Sequence, residues 1–100
     1  MTNATRQKGL RGEQRAAKVY RDAGFTVRRL DGLGDFLALR EGRAPHHVES
    51  KNQRRLQLPM WLRQAKREAP AGFVPVVVFP DQYGEQWACL PLAQLVDVAK

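Results

Sequence analysis

Apolar residues recur along this chain at two different intervals, and the order of these intervals limits the folds it can adopt. Residues 6–23 place apolar side chains at the three- and four-residue spacing of a helix, and Gly24 follows at a position typical of a helix end. Residues 25–30 then alternate in twos, which is typical of a strand with one buried face. A chain that switches between these periods packs helices against a sheet.

The remaining residues extend this pattern. Strands are predicted over 35–40 and 46–51, and Pro59 is suited to the first turn of a second helix. A continuous apolar strand is predicted over 74–79 in a central position, followed by a strand over 85–90 and a short helix over 92–99. The order α-β-β-β-α-β-β-α predicts a single α/β domain over residues 1–100, with one mixed central sheet flanked by helices. Three further residues are predicted to enter the core: Trp61, Trp87 and Cys89.

The charged residues are unevenly distributed along the chain, whose formal net charge is +7. Residues 1–30 carry eight basic and two acidic side chains, and residues 51–70 carry six basic and one acidic. The other two stretches, 31–50 and 71–100, are each net acidic by two charges. Basic blocks that flank an acidic centre favour a polyanionic partner such as nucleic acid. A basic surface without a partner is the alternative.

Composition disfavours several other classes of protein. The apolar content of 43% is too high for a disordered chain, and the single cysteine cannot form an internal disulfide. No apolar run approaches the roughly 18 residues of a membrane span, and the N-terminal residues lack the apolar core of a signal peptide. We therefore expect a cytoplasmic protein, in a prokaryotic or virus-infected cell, with no membrane partner.

Two carboxylates occupy positions of chemical interest. Glu13 lies on the apolar stripe of the first predicted helix, where a charge is costly unless it is paired or binds a metal. The alternative is a place at the edge of that stripe, in an ion pair with a nearby arginine. Asp35 opens the second predicted strand directly after a glycine turn, a position that turn chemistry alone also explains.

The tripeptide Glu49-Ser50-Lys51 ends the third predicted strand. Residues two apart on a strand point to the same face, so a carboxylate and an ammonium group project side by side. Asp35 and Glu49, with the backbone carbonyl of Ser50, could hold a hard cation such as Mg²⁺, for which Mn²⁺ could substitute. Lys51 could then orient the attacking water or stabilise the charge of the transition state. A plain ion pair on the sheet is the alternative.

Taken together, these residues resemble a known family. A helix glutamate, Gly34-Asp35 at a strand start and Glu49-x-Lys51 on the next strand follow one another at intervals of 22 and 14 residues. This order resembles the PD-(D/E)xK nuclease superfamily. The opening Lys8-Gly9-x-x-Gly12-Glu13 and the step Gly24-Phe25-x-Val27-Arg28 resemble its archaeal-type Holliday junction resolvases, of which viral relatives have about this size. The resemblance covers roughly residues 6–90.

The resemblance implies a restriction-endonuclease-like fold and a set of catalytic residues. Glu13, Asp35 and Glu49 would form the acidic cluster and Lys51 would be the catalytic lysine. It also implies a homodimer, because a four-way junction needs two symmetric cuts; the interface would be the apolar stripe 73–79 or the last helix. The resolvases carry a serine in the glycine turn where this chain has Asp31-Gly32-Leu33-Gly34.

Contacts with branched double-stranded DNA are expected mainly at phosphates, which gives recognition of shape rather than of base sequence. The residues expected to make them are Lys8, Arg11, Arg15, Arg28, Arg29, Arg54, Arg55, Arg63 and Arg67. Gln64 is a possible accessory residue, and the alternative is a solvated glutamine on the helix. His46 and His47 face opposite ways on their strand and are expected to be structural or close to DNA rather than zinc ligands.

The sequence thus predicts a Mg²⁺-dependent endonuclease that resolves four-way junctions by phosphodiester hydrolysis. Two alternatives remain open. One is a related nuclease that acts on flaps, nicks or ends with the same residues. The other is a non-catalytic DNA-binding module in which the acidic residues form structural pairs.

Overall fold

The computed structural model describes residues 3–30, 35–53 and 55–99, with side chains from Arg11 onward. These residues form three helices and five strands, in the order predicted from the sequence. Their bounds are α1 Asn3–Asp22, β1 Thr26–Arg29, β2 Asp35–Leu39, β3 His46–Ser50, α2 Leu58–Glu68, β4 Val74–Pro80, β5 Gln86–Cys89 and α3 Leu92–Val98.

The strands form one mixed sheet in the order β1-β2-β3-β4-β5. Neighbouring strands run antiparallel except β3 and β4, which are parallel because α2 carries the chain back across the sheet between them. The predicted α/β class and mixed sheet are therefore confirmed. β4 is an interior strand, between β3 and β5, and six of its seven residues are buried on both faces of the sheet.

Each face of the sheet is covered by a different helix. On the first face, Ala16 and Ala17 of α1 pack in the same core as Phe36, Val48 and Val76. On the second face, Trp61 and Ala65 of α2 pack with Val77 and Phe79. Because successive strand residues alternate between faces, residues 36 and 48 lie toward α1, and residues 35, 49 and 51 lie toward α2. These two small cores place the ends of β2 and β3 against α2.

Two expectations about the apolar residues are wrong. Trp87 is 50% exposed, because it lies on the edge strand β5, beyond the part of the sheet that α2 covers. Residues 74–79 of the stripe 73–79 are buried within the sheet, where they are not available to contact a second protomer. Trp61 is buried as predicted, and Cys89 is partly buried against the second core. The last helix does expose Leu92, Leu95 and Val96.

None of the helices in the described part of the chain combines the length and apolar character needed to cross a membrane.

Candidate metal centre

Asp35 and Glu49 meet at one edge of the sheet. Asp35 is the first residue of β2, and antiparallel pairing places it directly opposite Glu49 of β3, so both carboxylates project from the face toward α2. Lys51 follows on the same face. Its backbone N–H donates to the Val78 carbonyl at 2.8 Å, which continues the pairing of β3 with β4 by one residue. The Lys51 ammonium nitrogen lies 3.8 Å from Glu49 Oε2.

Helix α2 adds two polar side chains to this edge. Packing of Trp61 and Ala65 on the sheet leaves Gln64 and Glu68, one helical turn apart, beside the end of β3. The Gln64 amide nitrogen donates to Glu68 Oε1 at 3.0 Å, and its amide oxygen accepts from the Lys51 ammonium at 3.5 Å. Gln64 therefore links the lysine to the helix carboxylate, so the structure places this predicted accessory residue within the cluster.

Three carboxylates converge at this point. Asp35, Glu49 and Glu68 each offer one oxygen, and these oxygens lie within 4.8 Å of one another. Glu49 is only 4% exposed, and neither of its oxygens accepts a hydrogen bond from another side chain or backbone group in the described part of the chain. A buried carboxylate without donors is costly, and a hard divalent cation satisfies such oxygens.

The electrostatics of the cluster favour an added positive charge. Burial, together with the neighbouring Glu68, raises the pKa of Glu49 to about 8 against the lowering effect of Lys51. Burial also raises the pKa of Asp35, against the lowering effect of His47. The pKa of Glu68 is lowered by its interaction with the neighbouring Glu49 and by the hydrogen bond that it accepts from Gln64. Without a cation, these interactions favour the protonated form of Glu49.

Glu13 lies outside this group of three carboxylates. It belongs to α1, is 1% exposed, and accepts a hydrogen bond from Arg29 Nε at 2.9 Å. This matches the ion pair that the sequence left open as an alternative, although the side chain is fully buried rather than at the edge of the stripe. Its charge still contributes to the raised pKa of Asp35. A direct catalytic role for Glu13 stays a prediction.

Sequence reasoning missed Glu68. The usable signal was its four-residue spacing from Gln64, which places both side chains on one face of the helix. The spacing alone does not show that this face of the helix lies beside Asp35 and Glu49; that follows from the position of α2 on the sheet. The helix carboxylate that joins Asp35 and Glu49 therefore comes from α2, whereas the sequence assigned it to the first helix.

The two histidines face opposite sides of the sheet, as predicted. His46 Nδ1 lies 2.8 Å from the Tyr20 hydroxyl, on the side of α1. His47 is buried toward α2, with Nε2 3.7 Å from Asp35 Oδ2. Within the described residues, His47 Nδ1 has no hydrogen-bond partner. His47 thus adjoins the carboxylate cluster from behind Asp35.

The end of β3 is also in close contact with α1. A Cβ atom added to Gly12 would lie 3.4 Å from the Ser50 hydroxyl oxygen and 3.3 Å from Asn52 Cβ. Glycine at this position allows the helix to approach the strand end that carries Glu49 and Lys51. The Ser50 side chain is buried there, and a ligand role for the Ser50 carbonyl stays a prediction.

The basic residues expected to contact DNA are spread over both faces of the sheet. Arg11 and Arg15 are exposed on α1, and Arg63 and Arg67 are exposed on α2, across the sheet. Arg28 lies toward α2 by its register with Leu37, whereas Arg29 lies toward α1 and pairs with Glu13. Arg55 is exposed in the segment that precedes α2. The side chain of Lys8 and the whole of Arg54 lie outside what the structure describes.

No protein-family model matches this chain, and no curated protein matches it significantly.

Proposed function

We propose that this chain is a divalent-cation-dependent endonuclease that hydrolyses phosphodiester bonds in DNA. The observation that carries the proposal is the convergence of Asp35, Glu49 and Glu68 at a sheet edge where Lys51 also lies. Its motif order supports assignment to the PD-(D/E)xK superfamily, and four-way junctions are the substrate expected from that resemblance. The basic charge of the chain supports a polyanionic substrate.

The donor set fits a hard cation, because all three side chains offer carboxylate oxygens and Glu49 has two buried oxygens without donors. Asp35, Glu49 and Glu68 would hold Mg²⁺ or Mn²⁺, with the Ser50 carbonyl as a further candidate ligand. The chemistry supplied there is neutralisation of phosphate charge and a lower pKa for a coordinated water molecule.

The other residues of the cluster have roles that follow from their contacts. Lys51 places a positive charge beside Glu49, where it can stabilise the negative charge that develops on the phosphate during attack. Gln64 holds the lysine ammonium through its amide oxygen, and so limits the positions that the ammonium can take. His47 can hold the Asp35 carboxylate in position, because its ring nitrogen lies beside that carboxylate.

Cleavage of a labelled four-way junction and of a linear duplex with the same arm sequence tests this proposal, with Mg²⁺ and with a chelator. We expect the junction to be cleaved when Mg²⁺ is present and not when the chelator is present. Asp35→Asn and Lys51→Met should each lower the rate at least about a hundredfold, the scale of one lost transition-state contact. Lys18→Met is the matched control, because Lys18 pairs with Asp22 on the exposed surface of α1.

Absence of cleavage of any DNA substrate with either cation would overturn the nuclease proposal. Equal rates on the junction and on the duplex would remove the junction preference alone. Calorimetric titration with Mg²⁺ separates catalysis from simple DNA binding, because a bound cation that is lost in Asp35→Asn belongs to the carboxylate cluster.

A further inference from the structure

A groove of about 700 Å³ lies next to the candidate metal centre. One wall comes from Asn52 and Gln53, the two residues that follow Lys51, and the other comes from the hairpin that joins β4 to β5. The hairpin presents two aromatic side chains to the groove: Tyr83, 85% exposed, and Trp87, 50% exposed. Large aromatic side chains this accessible are costly in water, so they point to a ligand.

Hydrogen bonds hold the tryptophan in place without burying it. The indole N–H of Trp87 donates to Asp81 Oδ2 at 3.0 Å. Asp81 Oδ1 accepts from the backbone N–H groups of Tyr83 at 2.8 Å and Glu85 at 3.0 Å. These bonds, that of Trp87 foremost, lower the pKa of Asp81. The carboxylate is therefore used by the hairpin itself, and it fixes the position of the indole before any ligand arrives.

The groove and the candidate metal centre share one face of the sheet, because Phe79, which lines the groove, lies on the face toward α2. Ser50 pairs with Val78, so Lys51 adjoins Phe79 in the sheet, and Phe79 pairs with Trp87 on the next strand. These residues share the face toward α2 with Asp35 and Glu49. Trp87 thus lies two strands from Lys51, a separation of roughly 10 Å at the usual strand spacing. A nucleotide neighbouring the one at the metal centre can reach this distance.

We propose that the groove binds an unpaired base of the DNA substrate, next to the phosphate that is cut. The inference rests on the proposed nuclease function and specifies its substrate class. Exposed aromatic side chains are a usual means of holding single-stranded nucleic acid, because every base has a face on which to stack, and the net charge of +7 on the chain favours a polyanion. The exposed amide of Gln53 can donate to or accept from the edge of a base.

A groove that accepts only an unpaired base discriminates between DNA substrates. Bases of an intact duplex are stacked inside the helix and cannot enter the groove. The preferred DNA therefore carries unpaired nucleotides beside the cut, as at a flap, a splayed end or an opened branch point. Among the substrates considered for this chain, an undisturbed linear duplex is the least suited.

Binding without cleavage provides the test, with a chelator present and tryptophan fluorescence as the signal. Trp61 is 1% exposed, so quenching by an added oligonucleotide reports mainly on Trp87. We expect a short single-stranded oligonucleotide to quench this fluorescence. A blunt duplex of the same sequence, or an oligonucleotide of the same length with abasic sites only, should quench it little.

Substitutions of Trp87 and Tyr83 test whether these two side chains bind the single strand. Trp87→Leu and Tyr83→Ala should each weaken single-strand binding, measured by anisotropy of a labelled oligonucleotide, roughly 5- to 150-fold, which corresponds to the ~1–3 kcal/mol of one stacked base. Duplex binding should stay unchanged. Tyr83→Phe retains the ring and should bind as the unmodified protein does. Both positions are exposed, so the variants should fold, and circular dichroism checks this.

Several results would overturn the inference: equal loss of duplex and single-strand binding in Trp87→Leu, binding of the abasic oligonucleotide as tight as that of the normal one, or quenching by a proline-rich peptide but not by DNA. Failure of the nuclease proposal would look different. The protein would then bind single strands through Trp87 and cut no DNA with Mg²⁺ or Mn²⁺.

Discussion

Glu49 combines deep burial with a carboxylate that lacks hydrogen-bond donors in the described part of the chain, so its protonation is linked to the stability of the cation-free protein. Its pKa is raised to about 8, above the value of about 4.5 expected in the unfolded chain. The folded protein consequently binds more protons than the unfolded chain between these two values. The contribution of Glu49 to stability therefore falls as the pH rises through this interval.

With a chelator present, we predict that Glu49 lowers the melting temperature as the pH rises from 5 to 8, whereas the pKa of His46, lowered by burial, acts in the opposite direction below about 6.5. The raised pKa of Asp35 acts in the same direction as that of Glu49 at lower pH, whereas the lowered pKa of Glu68 matters only below about 4.5. Glu49→Gln should flatten the profile, and Glu41→Gln, an exposed control, should not. Thermal melts followed by circular dichroism measure this. A profile in Glu49→Gln as steep as in the unmodified protein would contradict it.

The Glu13–Arg29 pair supports a second prediction at the level of single residues. Arg29→Met leaves the buried Glu13 carboxylate without its partner and should destabilise the protein by about 1–3 kcal/mol. The double variant Glu13→Gln/Arg29→Met should recover part of this loss, because it leaves no unpaired charge. Urea denaturation measures both. Equal stability of the single and double variants would contradict this prediction, because the unpaired Glu13 carboxylate would then carry no cost.

The same variants separate the structural role of Glu13 from a catalytic one. If Glu13 acts only through Arg29, cleavage by Glu13→Gln should stay close to that of the unmodified protein. Loss of cleavage in a stably folded Glu13→Gln would instead support the role that the family resemblance implies.

Helix α2 supplies two polar side chains of the candidate metal centre that the strands do not provide. It has no side-chain N-terminal cap, and its position is set by Trp61 and Ala65, which pack on Val77 and Phe79. That packing directs Gln64 and Glu68 to the end of β3. The position of Glu68, the third carboxylate of the candidate metal centre, therefore depends on how α2 packs on the sheet.

We predict that Glu68→Gln lowers Mg²⁺ affinity at least about tenfold in calorimetric titration, because it removes one of three converging carboxylates. Gln64→Ala should have a smaller effect on affinity and a larger effect on the cleavage rate, since it releases the Lys51 ammonium. Glu41→Gln provides the control, as Glu41 is exposed in the turn between β2 and β3. Unchanged Mg²⁺ affinity in Glu68→Gln would remove this residue from the site.

The elements could be predicted from the sequence because each depends on a local pattern. Apolar residues at helical spacing mark α1 and α2, and Gly24, at a φ of 91°, ends the first helix as expected. Asp35, Glu49 and Lys51 could also be placed together, since register on adjacent strands is a short-range property. Glu68, Arg29 and Trp87 could not, because their surroundings arise from helix docking, a long-range ion pair and the position of β5 at an edge.

At the scale of the whole molecule, the basic side chains that the structure describes lie on both faces of the sheet and not on one surface. The candidate metal centre lies on the face covered by α2, as do Arg28 and Arg67. Arg11 and Arg15, exposed on α1, line a separate shallow depression with Gln14 and Lys18 across the sheet. If the chain has the proposed nuclease function, DNA positioned for cutting at Asp35 and Glu49 would meet the α2 face first.

This difference predicts which arginines determine the salt dependence of DNA binding. Each phosphate contact contributes about 0.9 to the slope of log affinity against log salt concentration. Arg28→Gln and Arg67→Gln should each reduce that slope by about this amount. Arg11→Gln and Arg15→Gln should leave it nearly unchanged. Anisotropy titrations at several salt concentrations, with a chelator present, measure the slopes. Equal reductions for all four variants would mean that the DNA contacts both faces of the sheet, as a branched molecule wrapped around the protein would.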